Sequence, residues 1–261
     1  MIRLIIFCFL TFILFSFSIE RKSFKPPGTV KINDTLYLDE TEVSNFSWRE
    51  FEYWTAVRYG KNSDEYKFVL PDTLVWMNSR FKNEAMSNLY HWHPAFRDYP
   101  VVGISYEQAV AYCKWRTGRV KEYMLRSGKY KNLELTYRLP DEKEWMSATF
   151  NGQFEFSNNG RDQKNRFKFN AFFPPQETTG EAFHTADHDF TAPVYAYWQN
   201  VYGVYNMIGN VAEMIQEKGK AKGGSWQDPP DSCRVGKQQS YTSPSAWLGF
   251  RCVCIVRNIA S

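Results

Sequence analysis

With 261 residues, 43% of them hydrophobic, the chain has the length and apolar content of one large folded domain or two small ones, which speaks against intrinsic disorder. A net charge of +4 with no basic face or stripe speaks against a nucleic-acid partner. Aromatic residues make up 18% of the chain, so the expected fold is one whose loops are pinned by Trp, Tyr and Phe rather than by long amphipathic helices.

Arg3 precedes an apolar run over residues 4–15, and Ser16-Phe17-Ser18 follows as a small-x-small cleavage pattern. Residues 1–18 therefore read as a secretory signal peptide. The run is shorter than the ~20 apolar residues that span a bilayer. No membrane span is expected after cleavage, and the mature chain is expected to be exported to the periplasm, the cell envelope or the medium; the competing reading is an uncleaved anchor. Cys8 sits inside the run rather than at its end and does not mark a lipid-attachment site. Export places Cys113, Cys233, Cys252 and Cys254 where disulfides persist, and four cysteines allow three pairings.

Residues 19–26 form a linker, residues 27–257 a single domain and residues 258–261 a tail. Within the domain, residues 29–38 alternate as a strand or hairpin turning at Asn33-Asp34. Residues 44–59 read as a helix, with Ser47 and Glu50 at capping-box spacing and Phe46, Phe51, Trp54 and Val57 as the apolar face. Residues 60–98 lose periodicity and carry His91-Trp92-His93-Pro94. A short strand over 99–105 is expected to lead into a second helix, capped by Ser105 and Gln108, with Cys113 on its inner face. Residues 118–136 are polar and variable in character. A third helix is expected over 141–149, where Asp141, Glu142 and Glu144 suit the positive end of the helix dipole. Residues 151–200 read as loop with aromatic punctuation, including Phe154, Phe156, Phe169, Phe172 and Phe173.

Residues 200–226 concentrate special-purpose side chains. Asn206, Gly209, Asn210 and Glu213 share one turn-rich segment, and Gly223 and Gly224 permit a tight turn before Ser225 and Trp226.

Six segments together resemble the formylglycine-generating-enzyme (sulfatase-modifying factor) family: DETEVSNFSWREF at 39–51, YPVVGISYEQAVAYCKW at 99–115, YRLPDEKEW at 137–145, GVYNMIGNVAEM at 203–214, KGGSW at 222–226 and LGFRC at 248–252. The resemblance implies an α+β fold of the C-type-lectin-like variant: a small twisted antiparallel sheet, two or three helices and long irregular loops. The segment at 93–120 also resembles lipoproteins of gliding motility and protein secretion, which implies a protein partner in such machinery or in the cell envelope.

Active members of the family oxidise a peptide cysteine with two thiols that together hold copper(I), a soft ion that selects thiolates. The first of those positions falls on Asp228 and the second on Cys233, so only half the pair is present. The groove aromatics of the family fall on Ala212 and Met214, and a polar groove residue falls on Trp247. Cys233 and Ser225 remain as catalytic candidates, and the expected reading is a non-catalytic binding or scaffold domain. The alternative is a divergent oxidoreductase acting through Cys233 or through an iron site drawn from His91, His93, His184 and His188; neither copper nor iron is the expected cofactor. The family's calcium ligands fall on Asn206, Gly209, Val211 and Glu213, and a second set on Asn170, Ala171 and Asp187 or Asp189. The plainer use of Asn206 and Asn210 is to cap turns. The resemblance also implies a Cys113–Cys252 disulfide, which leaves Cys233 and Cys254 either paired or with at least one free thiol.

Overall fold

Asn33 sets the first turn. Its Oδ1 accepts from the backbone N–H groups of Thr35 and Leu36, at 3.1 and 2.9 Å, and so joins β1 (Thr29–Lys31) to β2 (Leu36–Asp39) as the expected hairpin. The computed structural model describes residues 24–78, 82–128, 130–149, 162, 164, 166–173 and 190–259. The signal segment 1–18, linker residues 19–23, Asp187, Asp189, His184, His188, Phe154 and Phe156 lie outside the described residues.

Helix α1 (Asn45–Tyr59) is capped by Ser44, whose Oγ accepts from Ser47 N–H at 3.2 Å. The cap is therefore three residues ahead of the expected Ser47–Glu50 box. Its buried face is also different: Trp48, Phe51 and Thr55 point inward with Asn45 and Glu52, whereas Phe46 and Val57 are 50% and 58% exposed. Aromatic residues lie all round this helix, so periodicity alone does not select a face. The inward face is fixed instead by Trp48, which stacks on Tyr112 at 5.5 Å and donates from Nε1 to Val69 O at 2.9 Å, and by polar partners that await Asn45 and Glu52.

Short helices α2 (Asp64–Phe68) and α3 (Glu84–Leu89) and single 3₁₀ turns at Thr73–Trp76 and Pro94–Phe96 occupy the stretch without periodicity. Residues 99–105 form no strand; a bridge from Ser44 to Pro100 and separate backbone bonds such as Val101 N to Val43 O hold them in place. Helix α4 (Tyr106–Ser127) starts with the expected capping box, Gln108 N donating to Ser105 Oγ and Ser105 N to Gln108 Oε1. It runs well past residue 118, because Val120 and Met124 continue its inner face, and it stops where Gly128 adopts a left-handed φ of 65°.

Strand β3 (Leu133–Arg138), helix α5 (Glu142–Thr149) and strands β4 (Ala212–Met214), β5 (Lys220–Lys222), β6 (Gln238–Ser240), β7 (Leu248–Gly249) and β8 (Val253–Asn258) complete the described elements. One sheet runs β1-β2-β8-β3, antiparallel throughout, and α4 covers β3. The other runs β6-β5-β4-β7, with β4 and β7 parallel. The main core lies between α1, α4 and the first sheet, where Trp48, Tyr112 and Phe250 meet edge to face or stacked. Among the described residues no helix is long and apolar enough to cross a membrane.

Candidate functional site

The turn after β5 is built from two glycines at positive φ, 93° at Gly223 and 68° at Gly224. A Cβ on Gly224 would collide with Sγ of Cys233, so glycine there is what lets Cys233 sit directly behind the turn. Cys233 ends a 3₁₀ turn, Pro230–Cys233, and is fully buried among Phe167, Phe169, Phe173 and Ile208. Burial, and after it the nearby Asp228 carboxylate, pushes the Cys233 thiol far up. A thiol is a nucleophile or a copper ligand only as thiolate, and this environment suppresses the thiolate.

Asp228, on which the resemblance places the other thiol position, is tied into the fold. Its Oδ2 accepts from Ser225 N at 2.9 Å, Ser225 Oγ at 2.5 Å and Gln239 Nε2 at 2.7 Å, and its backbone carbonyl accepts from Phe172 N at 2.9 Å. Ser225, the second catalytic candidate, is buried with its hydroxyl donated to this carboxylate. A hard carboxylate already engaged by three donors, beside one buried thiol, does not fit copper(I). Ala212 and Met214 are buried in the main core, and Trp247 packs on its margin.

Ahead of the turn, Asn206 and Asn210 adopt left-handed φ of 50° and 62° and direct their amides onto Glu42, at 3.2 and 2.8 Å. Glu42 is buried; desolvation outweighs the attraction of Arg251, and with Glu213 nearby it pushes the carboxyl up to about 8. Glu213 meets Arg251 in a fork: Oε1 accepts from Nη2 at 2.6 Å and Oε2 from Nε at 2.7 Å, while Oε2 also accepts from Trp145 Nε1 at 2.7 Å. Gly209 and Val211 complete the same curved segment, Gly209 with its Cα so close to Asn170 O that no Cβ fits. The only carboxylate among Asn206, Gly209, Val211 and Glu213 is thus neutralised by a guanidinium. That charge stands against a divalent cation at the same oxygens, while the Glu42 carboxylate on Asn206 and Asn210 acts in the other direction.

The second set differs. Asn170 is buried, donates to Phe190 O at 2.8 Å, and leaves its own Oδ1 without a hydrogen-bond partner among the described residues. An orphaned buried oxygen next to Ala171 suits a hard cation.

Among the described residues His91 belongs to no cluster of metal-ligating side chains. Its Nε2 lies 2.7 Å from Glu52 Oε1 and its Nδ1 3.3 Å from Asn45 Oδ1, while His93 caps the 3₁₀ turn through Ala95 N. The Cys113 and Cys252 sulfurs lie 3.4 Å apart, both buried and both free thiols here. Cys233 and Cys254 are also free and lie in separate core clusters, so the structure does not bring that pair together.

Sequence reasoning missed Glu42, Arg251 and Gln239. Glu42 and Arg251 both stand inside quoted segments, but the 38- and 168-residue separations of their contacts carry no local signal. Gln239 lies on β6, an element without a recognisable pattern.

Fold and site together define an α+β domain in which a two-glycine turn carries Ser225, bonded to Asp228, in front of one buried cysteine, Cys233. The chain belongs to the family of the sulfatase-modifying factor enzyme 1-like domain, whose model matches residues 14–256. It is 28% identical over 256 residues to the inactive C-alpha-formylglycine-generating enzyme 2 of Bos taurus, covering 82% of this chain and 75% of that protein. It is 26% identical over 268 residues to the formylglycine-generating enzyme of Mus musculus, covering 84% and 66%. Among solved structures, the Treponema denticola variable protein 1 gives a TM-score of 0.48 at 17% identity, covering 88% of this chain and 92% of that one.

Proposed function

We propose that this chain is an exported, non-catalytic member of its family that acts as a binding or scaffold domain. The observation that carries the reading is the pairing of Asp228, locked by Ser225 and Gln239, with a Cys233 thiol that burial keeps protonated. Likeness to relatives named inactive supports it. The partner is a protein of the cell envelope, of secretion or of gliding machinery; the resemblance of the 93–120 segment to lipoproteins of those systems supports that class. The test is to incubate the purified chain with copper(I), oxygen and a cysteine-containing sulfatase-type peptide and to follow the peptide by mass spectrometry. No formylglycine and no retained copper are expected; turnover would overturn the reading.

A second element of the proposal is a calcium ion at Asn170 and Ala171, supported by the partnerless Asn170 Oδ1. Calorimetry with calcium after chelation should show binding that Asn170→Ala abolishes and Glu213→Gln leaves in place. Absence of heat and of any thermal shift would retire the ion.

A further inference from the structure

Asn45 has its orientation fixed from outside. Its Nδ2 donates to Tyr90 O and to Phe96 O, each at 3.0 Å, so Oδ1 is the atom that faces His91 Nδ1 at 3.3 Å. An amide oxygen only accepts, which requires a hydrogen on Nδ1. The other ring nitrogen, Nε2, lies 2.7 Å from Glu52 Oε1, and both side chains are sealed from solvent, 3% and 4% exposed. An ionised carboxylate also only accepts, so this contact needs a second hydrogen, carried either by Nε2 or by the carboxyl. Two acceptors therefore bracket one ring, and the arrangement closes only with a proton beyond those of a neutral histidine and an ionised glutamate.

From this geometry we propose that His91 and Glu52 form a proton-operated latch, which fastens residues 90–99 to α1 while the shared proton is held and loosens them when it is released. The latch is well placed to matter. Besides the latch itself, residues 90–99 are held to α1 by the two Asn45 Nδ2 bonds and by Asn45 N to Tyr99 O, Phe46 N to Arg97 O and Arg49 Nη1 to Trp92 O. Tyr90, next to His91, packs on Trp76 with ring centres 4.7 Å apart, and Trp76 stacks on Trp226, the residue after Ser225. A continuous run of packed rings thus leads from Tyr90 to the turn in front of Cys233.

The other charged or titratable groups on these elements do not replace the proton. Arg49 is engaged with Trp92 O, Arg97 lies over the Phe46 ring, His93 caps its own turn, and the Tyr90 hydroxyl donates to Pro100 O at 2.6 Å. Trp92 packs edge-on against the His91 ring and offers no acceptor there.

Loss of the proton at high pH leaves two lone pairs facing one another in the interior, which disfavours the latched state. The folding constant of the full chain should fall by up to about tenfold per pH unit over the interval in which the unfolded chain has released the proton and the folded chain still holds it, and level off above that interval. Glu52→Gln converts the partner into an amide that donates to a neutral Nε2, so this part of the pH dependence should disappear or reverse, while His91→Gln should remove it. In the unmodified protein, nitrogen-15 spectra of His91 and carboxyl carbon-13 spectra of Glu52 should show the extra proton on one or other group at neutral pH. An ionised Glu52 beside a neutral His91 throughout pH 5–9, or identical pH slopes in wild type and Glu52→Gln, would overturn the proposal; the spectra decide it even if a variant does not fold.

Discussion

Arg251 and Glu213 face one another as a forked ion pair, 2.6 and 2.7 Å between their atoms, with 0% and 1% of their side chains exposed. The same guanidinium donates to Asp39 O and Tyr205 O, so one side chain joins the end of β2 to the loop ahead of β4. Breaking such a pair from one side strands a buried charge, at a cost of about 3–5 kcal/mol. Glu213→Leu or Arg251→Met alone should each lower stability by that order in denaturant unfolding. The double variant should lose clearly less than the sum of the two, because the stranded charge is gone.

Glu42 supplies a pH signature. Its carboxyl is pushed up to about 8 from an ordinary 4.5, first by burial, so the folded chain holds a proton that the unfolded chain has given up over that interval. The contribution to stability is complete below about 4.5 and is lost as pH rises through about 8. The slope from this group is at most about 1.4 kcal/mol per pH unit. Glu42→Gln should flatten unfolding free energy against pH over this window.

What the sequence made legible follows from how local each signal is. The hairpin at Asn33, the cap at Ser105, the inner placement of Cys113 and the glycine turn before Ser225 are set by neighbours a few residues apart. The face of α1 is not legible locally, because Phe46, Trp54 and Val57 are as apolar as Trp48 and Phe51; distant partners, His91 for Glu52 and Tyr90 O for Asn45, choose between the faces. The motif around Glu213 is local, while the Arg251 that pairs with it is 38 residues away and leaves no local signal.

Restoring the missing thiol should not restore a thiol pair. In Asp228→Cys the three hydrogen bonds onto Oδ2 are lost, leaving Ser225 and Gln239 donors unpaired, and Cys233 stays buried behind Gly224. A stability loss of about 1–3 kcal/mol is expected from the unpaired groups. Removal of the Asp228 charge eases the Cys233 thiol downward, but burial, the larger cause, remains. Mass spectrometry should therefore detect no formylglycine in a presented cysteine peptide, and Cys233 should alkylate slowly in the folded state of both wild type and variant.

The Cys113 and Cys252 sulfurs, 3.4 Å apart and 139 residues apart in sequence, join the inner face of α4 to the residue before β8. Oxidation of this pair requires little movement, and a link over so long a loop restricts the unfolded chain, adding about 2–4 kcal/mol. Protein matured in an oxidising compartment should accordingly show, after denaturation without reductant, two titratable thiols from residues 24–259, assigned by mapping to Cys233 and Cys254. Cys113→Ser should expose Cys252 as a third and remove the reductant sensitivity of the melting temperature. Four thiols in the wild type would mean that the pair stays reduced, and none would mean that Cys233 and Cys254 reach one another after a rearrangement of both core clusters, which this fold gives no reason to expect.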